Sequence, residues 1–269
     1  FKLSVRRQEF MEIFKEILDL HHIPALSNVL YSEDILFPIA DFYLKKERWN
    51  EAIEVYEEME TIGALQGRGA EYYQKLGYAL QKNKKYAEAI DAYLKADTLK
   101  PDNIWNNRHL AICYRLNRNY QAALSYYKKV EEATPEDTNV IFHIGSCLAE
   151  LGQYEEAANY FFKLDFIESN CIKAWRGIGW CSFISRKYEQ AMKYYEKIIE
   201  QKPLAIDYMN AGHVAWTMGD IQKAAALYGK SITANGNRER FLEMFRKDKE
   251  ALLKQGIQEE DIPLMLDLL

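Results

Sequence analysis

A period of 34 residues runs through this chain and restricts it to architectures built by stacking one unit on the next. Gly77, Ala111, Gly145, Gly179 and Gly212 are small residues spaced by 34, 34, 34 and 33. Ala52, Ala89, Ala123, Ala157, Ala191 and Ala224 follow at 37, 34, 34, 34 and 33. Trp49, Tyr86, Tyr120, Tyr154, Tyr188 and Ile221 keep those intervals, and so do Tyr56, Tyr93, Tyr127, Phe161, Tyr195 and Tyr228. Pro101, Pro135 and Pro203 hold a fifth column, with Ser169 and Gly236 in its remaining slots. Five columns in one frame define a repeat protein. They also explain the aromatic content of 19 Tyr, 12 Phe and 5 Trp, because two columns are aromatic.

Residues 71–102 show what one unit is. The run YYQKLGYALQK carries apolar residues at helical spacing, and Asn83-Lys84-Lys85 interrupts it. A second amphipathic run, YAEAIDAYLKAD, continues until Pro101 stops it. The spacing therefore predicts two antiparallel helices joined by a tight turn. Gly77 and Ala89 mark close approach of helix backbones, and Tyr86 and Tyr93 are expected to fill the wedge between one hairpin and the next. A single hairpin cannot bury both faces, so stacking is obligatory and produces a solenoid.

Leu76, Gly77, Leu80, Ala89, Tyr93, Ala96 and Pro101 match a known signature, and Leu110, Ala111, Tyr114, Ala123, Tyr127 and Pro135 match it one unit later. The pattern resembles the tetratricopeptide repeat (TPR) family, although the signature tryptophan is present only as Trp175. The resemblance covers roughly residues 33–237. It implies an all-α fold, a right-handed superhelical solenoid of helix-turn-helix hairpins. Six units fit, at 33–66, 70–103, 104–137, 138–171, 172–204 and 205–237, with a local offset expected at Gly67-Arg68-Gly69. Residues 1–32 are expected to form an N-terminal helical cap, with Phe10, Ile13, Phe14, Ile17 and Leu18 on one face and a break near Pro24. Residues 238–269 are expected to form C-terminal capping helices: one over 238–254, a stop at Gly256, and a short one over 259–268.

Composition excludes several functions. The chain has 269 residues, 48% hydrophobic and 28% charged, with a net charge of −5. No uncharged apolar stretch approaches the length of a membrane helix. The mild acidity argues against bulk nucleic-acid binding, which needs clustered positive charge. There is no Gly-rich phosphate loop, GxSxG or HExxH, so no enzyme activity and no cofactor are expected. Glu57-Glu58, Glu131-Glu132 and Glu155-Glu156 read as a solvated outer face. His109 with Cys113 and His143 with Cys147 have the i,i+4 spacing of a metal pair. However, Cys113, Cys147 and Cys181 share the tenth repeat position, and Gly177 stands where a third histidine would be needed. These cysteines read as small core residues, and no metal is expected. Cys171 is expected in a turn between units, and His21-His22 at a surface or cap. The four cysteines form no CxxC pair and favour a cytoplasmic setting. Because the chain starts at Phe1, it is expected to be processed or part of a longer chain, whose upstream part could carry a signal peptide or another domain.

The resemblance implies a concave groove lined by the first helices. Positions 2, 5, 6, 9, 12 and 13 of each unit share one helix face. They place Tyr78, Trp105, Arg108, His109, Arg115, Phe142, His143, Lys173, Arg176, Trp180, His213 and Trp216 there as peptide-binding residues, with Phe183, Met209 and Asn210 beside them. Tryptophan, tyrosine and arginine are the usual anchors of recognition surfaces. Those slots hold seven basic residues (Lys45, Lys75, Lys82, Arg108, Arg115, Lys173, Arg176) and four acidic ones (Asp34, Asp41, Glu71, Glu150), a balance of +3 on a chain of −5. An acidic peptide segment of another protein is therefore the expected partner. Arg108 and Arg176 are expected to grip it on either side of Phe142, with Trp105 and Trp180 closing the sides and neither arginine needed for stacking. The chaperone-tail clamp found in some family members is disfavoured. Its slots hold Gln74, Tyr78, His109, Asn139 and His143, or, one unit on, Arg108, Ile112, His143, Lys173 and Gly177. The alternative is a sensor or regulatory domain of a larger chain, binding a small molecule or gating a fused effector region. Self-association through the solenoid ends is a further expectation.

Overall fold

A computed structural model describes residues 33–61 and 68–269, and all regular structure among them is helical. The helices are α1 (Glu33–Lys45), α2 (Trp49–Thr61), α3 (Gly69–Lys82), α4 (Tyr86–Leu99), α5 (Ile104–Leu116), α6 (Tyr120–Ala133), α7 (Thr138–Glu150), α8 (Tyr154–Ile167), α9 (Ile172–Ile184), α10 (Tyr188–Ile199), α11 (Ala205–Thr217), α12 (Ile221–Asn235), α13 (Arg238–Lys254) and α14 (Asp261–Asp267). The chain divides into two compact units, residues 1–119 and 120–269, the boundary falling between α5 and α6. The cap expected over residues 1–32, His21-His22 within it, and Gly67 of the expected offset lie outside the described residues.

Each turn between paired helices is closed the same way. Glu47, Lys84, Arg118, Gly152, Arg186 and Gly219 take left-handed backbone angles, with φ from 55° to 85°. One residue later the amide returns to the helix: Lys85 N–H donates to the Leu80 carbonyl at 2.9 Å, and Gln153 N–H to that of Leu148 at 2.9 Å. This satisfies carbonyls that a helix end would leave bare. Several helix starts carry a side-chain cap. Asn103 accepts from the Asn106 N–H, Asp137 from those of Asn139 and Val140, and Asp220 from that of Lys223.

Pairing rests on a ring set against a small residue. A Cβ built on Gly77 would meet the Tyr93 ring at 2.8 Å; on Gly145, the Phe161 ring at 3.0 Å; on Gly179, the Tyr195 ring at 2.9 Å; and on Gly212, the Tyr228 ring at 2.5 Å. Glycine on the first helix thus lets the ring of the second lie against its backbone. The sequence places Tyr93 between hairpins, whereas the structure sets it first against the glycine of its own hairpin. The next hairpin then ties to the same residue through the backbone. Tyr72 Oη donates to the Tyr56 carbonyl at 2.7 Å, and Asn106 Nδ2 to the Tyr93 carbonyl at 3.0 Å.

At the C-terminal end α13 packs Phe241 and Phe245 against Tyr228, with ring centroids 5.6 and 5.7 Å away. Its far end is held at the α9–α10 turn. Arg186 Nη2 donates to the Lys254 carbonyl at 3.0 Å, and Tyr188 Oη to Gln255 Oε1 at 3.0 Å. Gly256 then breaks the helix with φ 101°.

Two glycines one helix apart separate packing from propensity. Gly212→Ala should destabilise the protein by up to about 2 kcal/mol. Overpacking against the buried Tyr228 costs about 1–3 kcal/mol and outweighs a helix-propensity gain of about 1 kcal/mol. Gly229→Ala, with nothing within 4 Å of the new methyl, should stabilise by up to about 1 kcal/mol. Urea melts of both variants read the two signs directly.

Candidate functional site

In the first unit, α2, α3, α4 and α5 bring five rings together. Trp105 and His109 lie one turn apart on α5, with ring centroids 4.0 Å apart. Tyr78 on α3 meets His109 edge-on at 5.7 Å and Trp105 at 6.3 Å. Beneath them Tyr93 stacks on His109 at 5.7 Å, and to one side Trp49 packs edge-on against Tyr78 at 6.1 Å. Trp105 is 43% exposed, so the cluster opens to solvent through its indole. Lys82 stands 5.2 Å above the Tyr78 ring.

His109 is neutral at ordinary pH. Burial, with the positive fields of Lys82 and Arg108 added to it, pulls its pKa from 6.5 down to about 4. Its Nδ1 lies 2.8 Å from Gln81 Oε1, which also accepts from the Tyr93 hydroxyl at 3.0 Å. An acceptor there makes Nδ1 the protonated nitrogen. Trp49, the first member of an aromatic column, and Gln81, at position 12 of its unit, belong to this site although neither was named as a ligand contact, and only their tertiary neighbours reveal them.

Lys75, counted among the groove cations, is already neutralised. Its Nζ contacts Asp41 at 2.7 Å and Glu71 at 3.0 Å. Arg115 and Arg108 lie on the same helix as Trp105, both half-buried.

In the second unit, Phe142 and His143 adjoin on α7, 5.4 Å apart, with His143 stacked on Tyr127 at 5.5 Å. Lys173 lies 5.9 Å over the Phe142 ring and pairs with Glu168 at 3.3 Å. Half-buried Trp180 leans on the buried Phe183 at 5.6 Å. Gly177 leaves its slot to the Phe161 ring, 2.5 Å from where a Cβ would stand.

Three residues expected to meet a ligand do other work. Arg176 is tied to Asp207, Nε to Oδ1 at 2.7 Å and Nη2 to Oδ2 at 2.7 Å, and the Asp207 side chain is 1% exposed. The same carboxylate accepts from the Leu204 N–H at 2.7 Å, which secures the start of α11. Arg176 therefore balances a buried charge, and the expectation that stacking does not need it is overturned. His213 is fully buried, with Nδ1 2.8 Å from the Tyr228 hydroxyl and Nε2 3.4 Å from Asp248. Trp216 is 4% exposed and stacks on Phe245 at 6.4 Å. Helix α13 covers both, so neither is open to a peptide. The same slots upstream hold half-buried Tyr78, Trp180, Gln81 and Arg115, although Phe183, in the slot of Trp216, is buried as well.

The cysteines are interior. Cys113, Cys147 and Cys181 are buried, and burial pushes the Cys113 and Cys181 thiols up to about 12. Cys171, expected in a turn, is also buried, packed with Ile141, Leu164 and Ala174. Among the described residues no helix is long and apolar enough to cross a membrane.

Paired helices in register, with recognition-type side chains on the first-helix faces, define the class of helical-hairpin repeat proteins. Tetratricopeptide repeat profiles match residues 36–66, 70–103, 115–181, 172–203 and 208–238, and the chain belongs to the tetratricopeptide repeat family. Among solved structures it is similar to a tetratricopeptide repeat protein from Parabacteroides merdae, with 19% identity, 87% of this chain and 97% of that chain covered, and a TM-score of 0.61. It is also similar to MamA from Desulfovibrio magneticus, with 18% identity, 63% and 97% covered, TM-score 0.56. A third is YrrB, described as a TPR protein with an unusual peptide-binding site, with 21% identity, 66% and 92% covered, TM-score 0.56. No curated protein sequence matches the chain.

Two outcomes follow from this chemistry. Arg176→Ala should cost about 3 kcal/mol in thermal or urea melts, because it strands the buried Asp207 carboxylate. Adding Asp207→Asn should recover part of that loss, since an amide oxygen still accepts from Leu204. The second outcome concerns pH. Between 6.5 and about 4 the unfolded chain binds a proton that folded His109 refuses. Stability should therefore fall as pH drops through that window, by up to about 3 kcal/mol, and level off below it. Subtracting the pH–stability curve of His109→Gln isolates this share.

Proposed function

We propose that this protein is a non-enzymatic interaction scaffold that holds an acidic peptide segment of another protein along the first-helix face of its first unit. Proteins of this family bind other proteins or peptides. The observation that carries the acidic preference is the surrounding of His109. The fields of Lys82 and Arg108 converge on it, and Lys82 has no carboxylate partner among the described residues. A carboxylate-bearing ligand would supply Lys82 with a countercharge. The described peptide-binding site of YrrB adds support at the level of the fold. In the second unit Phe142, His143 and Trp180 offer a smaller ring face whose cation, Lys173, is already paired with Glu168, while residues 238–269 act as the cap that closes the array.

Calorimetry with synthetic acidic, neutral and basic peptides tests the reading. Acidic peptides should bind best, and added salt should weaken them. Lys82→Glu, an exposed change, should lower their affinity at least about tenfold, about 1.4 kcal/mol. Acidic binding indifferent to both salt and Lys82→Glu would overturn the proposal.

A further inference from the structure

We infer that the exposed aromatic cluster of the first unit is an anchor subsite for one aromatic side chain of the partner, flanked in the partner by a carboxylate. This rests on the peptide-binding reading and adds to it what the acidic preference leaves open, the residue that fixes the position of the segment.

Trp105 is 43% exposed at the edge of a ring array. Tryptophan, half in water and half on a preformed ring cluster, is the residue type enriched among the anchors of recognition surfaces. The array mixes geometries: Tyr93 stacks on His109 at 26°, Trp105 is tilted to Tyr78 and His109 by 42° and 44°, and three pairs are edge-on. Trp49 meets Tyr78 edge-on at 82°, Tyr78 meets His109 at 84°, and Tyr93 meets Trp105 at 70°. Rings attract one another in edge-to-face or offset arrangements at centroid separations of about 4.5–7 Å, a gain beyond that of area alone. One further ring on Trp105 and Tyr78 would add another such contact.

The nature of that ring follows from the charges around it. An aromatic cluster can also hold a cation, but Lys82 already stands over Tyr78 at 5.2 Å, and Arg108 lies one turn from Trp105. A second positive charge would be repelled. His109, neutral and engaged with Gln81, adds an apolar ring face. The surface therefore takes an uncharged ring, and Lys82 beside it takes a carboxylate next to that ring in the partner chain. Rigid ring walls held by Tyr93 and Gln81 from below need little ordering on binding, which favours affinity.

An array of acidic peptides of about twelve residues tests this, each carrying Phe, Leu, Ala or Lys at its centre, with affinities measured by calorimetry on the whole chain. The Phe peptide should bind at least about tenfold more tightly than the Ala peptide, and the Lys peptide no better than Ala. Trp105→Ala should abolish the preference for Phe, and Trp105→Phe should restore much of it. Because Trp105 is exposed, circular dichroism of both variants should match the parent. Acidic peptides that bind with no preference for Phe, or a preference that survives Trp105→Ala, would overturn the subsite while leaving the acidic-peptide reading standing. Acidic peptides that bind no better than neutral ones would overturn both.

Discussion

The contact between a ring on each second helix and the bare backbone of the helix before it sets the rest of this structure. Gly77, Gly145, Gly179 and Gly212 have no Cβ, and Tyr93, Phe161, Tyr195 and Tyr228 occupy the space that one would fill. A gap of this size matters because protein interiors are close-packed, so a single methyl must be accommodated by displacing its neighbours. Once the ring is seated, its residue's backbone carbonyl becomes a fixed acceptor at the hairpin surface. Tyr72 and Asn106, at the third position of their units, donate to the carbonyls of Tyr56 and Tyr93. Pairing within a hairpin and stacking between hairpins thus share one residue.

Charge on the first-helix faces is spent unevenly between holding the fold and meeting a ligand. Lys75 binds Asp41 and Glu71, Lys173 binds Glu168, and Arg176 binds Asp207. The Arg176 pair is of a different kind from the others, because its carboxylate is almost wholly removed from water. Such a pair can be a neutral contributor when intact and costly when halved. Lys82 stands apart, since it faces a ring rather than an acid. A formal charge count of the slots treats these residues alike and overstates the positive charge left to a partner.

The C-terminal helices complete the second unit by covering it. Phe241 and Phe245 close over Tyr228 and Trp216, and Gln255 and Lys254 fasten the far end to the turn between α9 and α10. A terminal unit of a stacked repeat leaves an apolar face that needs a cover. Here the cover extends over His213 and Trp216, so slots that are mostly half-buried elsewhere are interior at this end.

The sequence by itself determined the period, the paired helices, the small-residue and aromatic columns, and the family. Those features recur in every unit and depend on neighbours three, four or sixteen residues away, distances at which the chain's own geometry dictates contact. The tertiary structure alone decided which slots remain open. His213 and Trp105 are both in frame as face residues, yet one is sealed by Phe245 and Asp248 while the other stays in water. Arg176 and Lys82 read alike as cations, yet a carboxylate 31 residues away claims the first. Burial and charge pairing arise from groups that meet only after folding, so a repeating frame can name the positions on a face without saying which of them the rest of the chain will use.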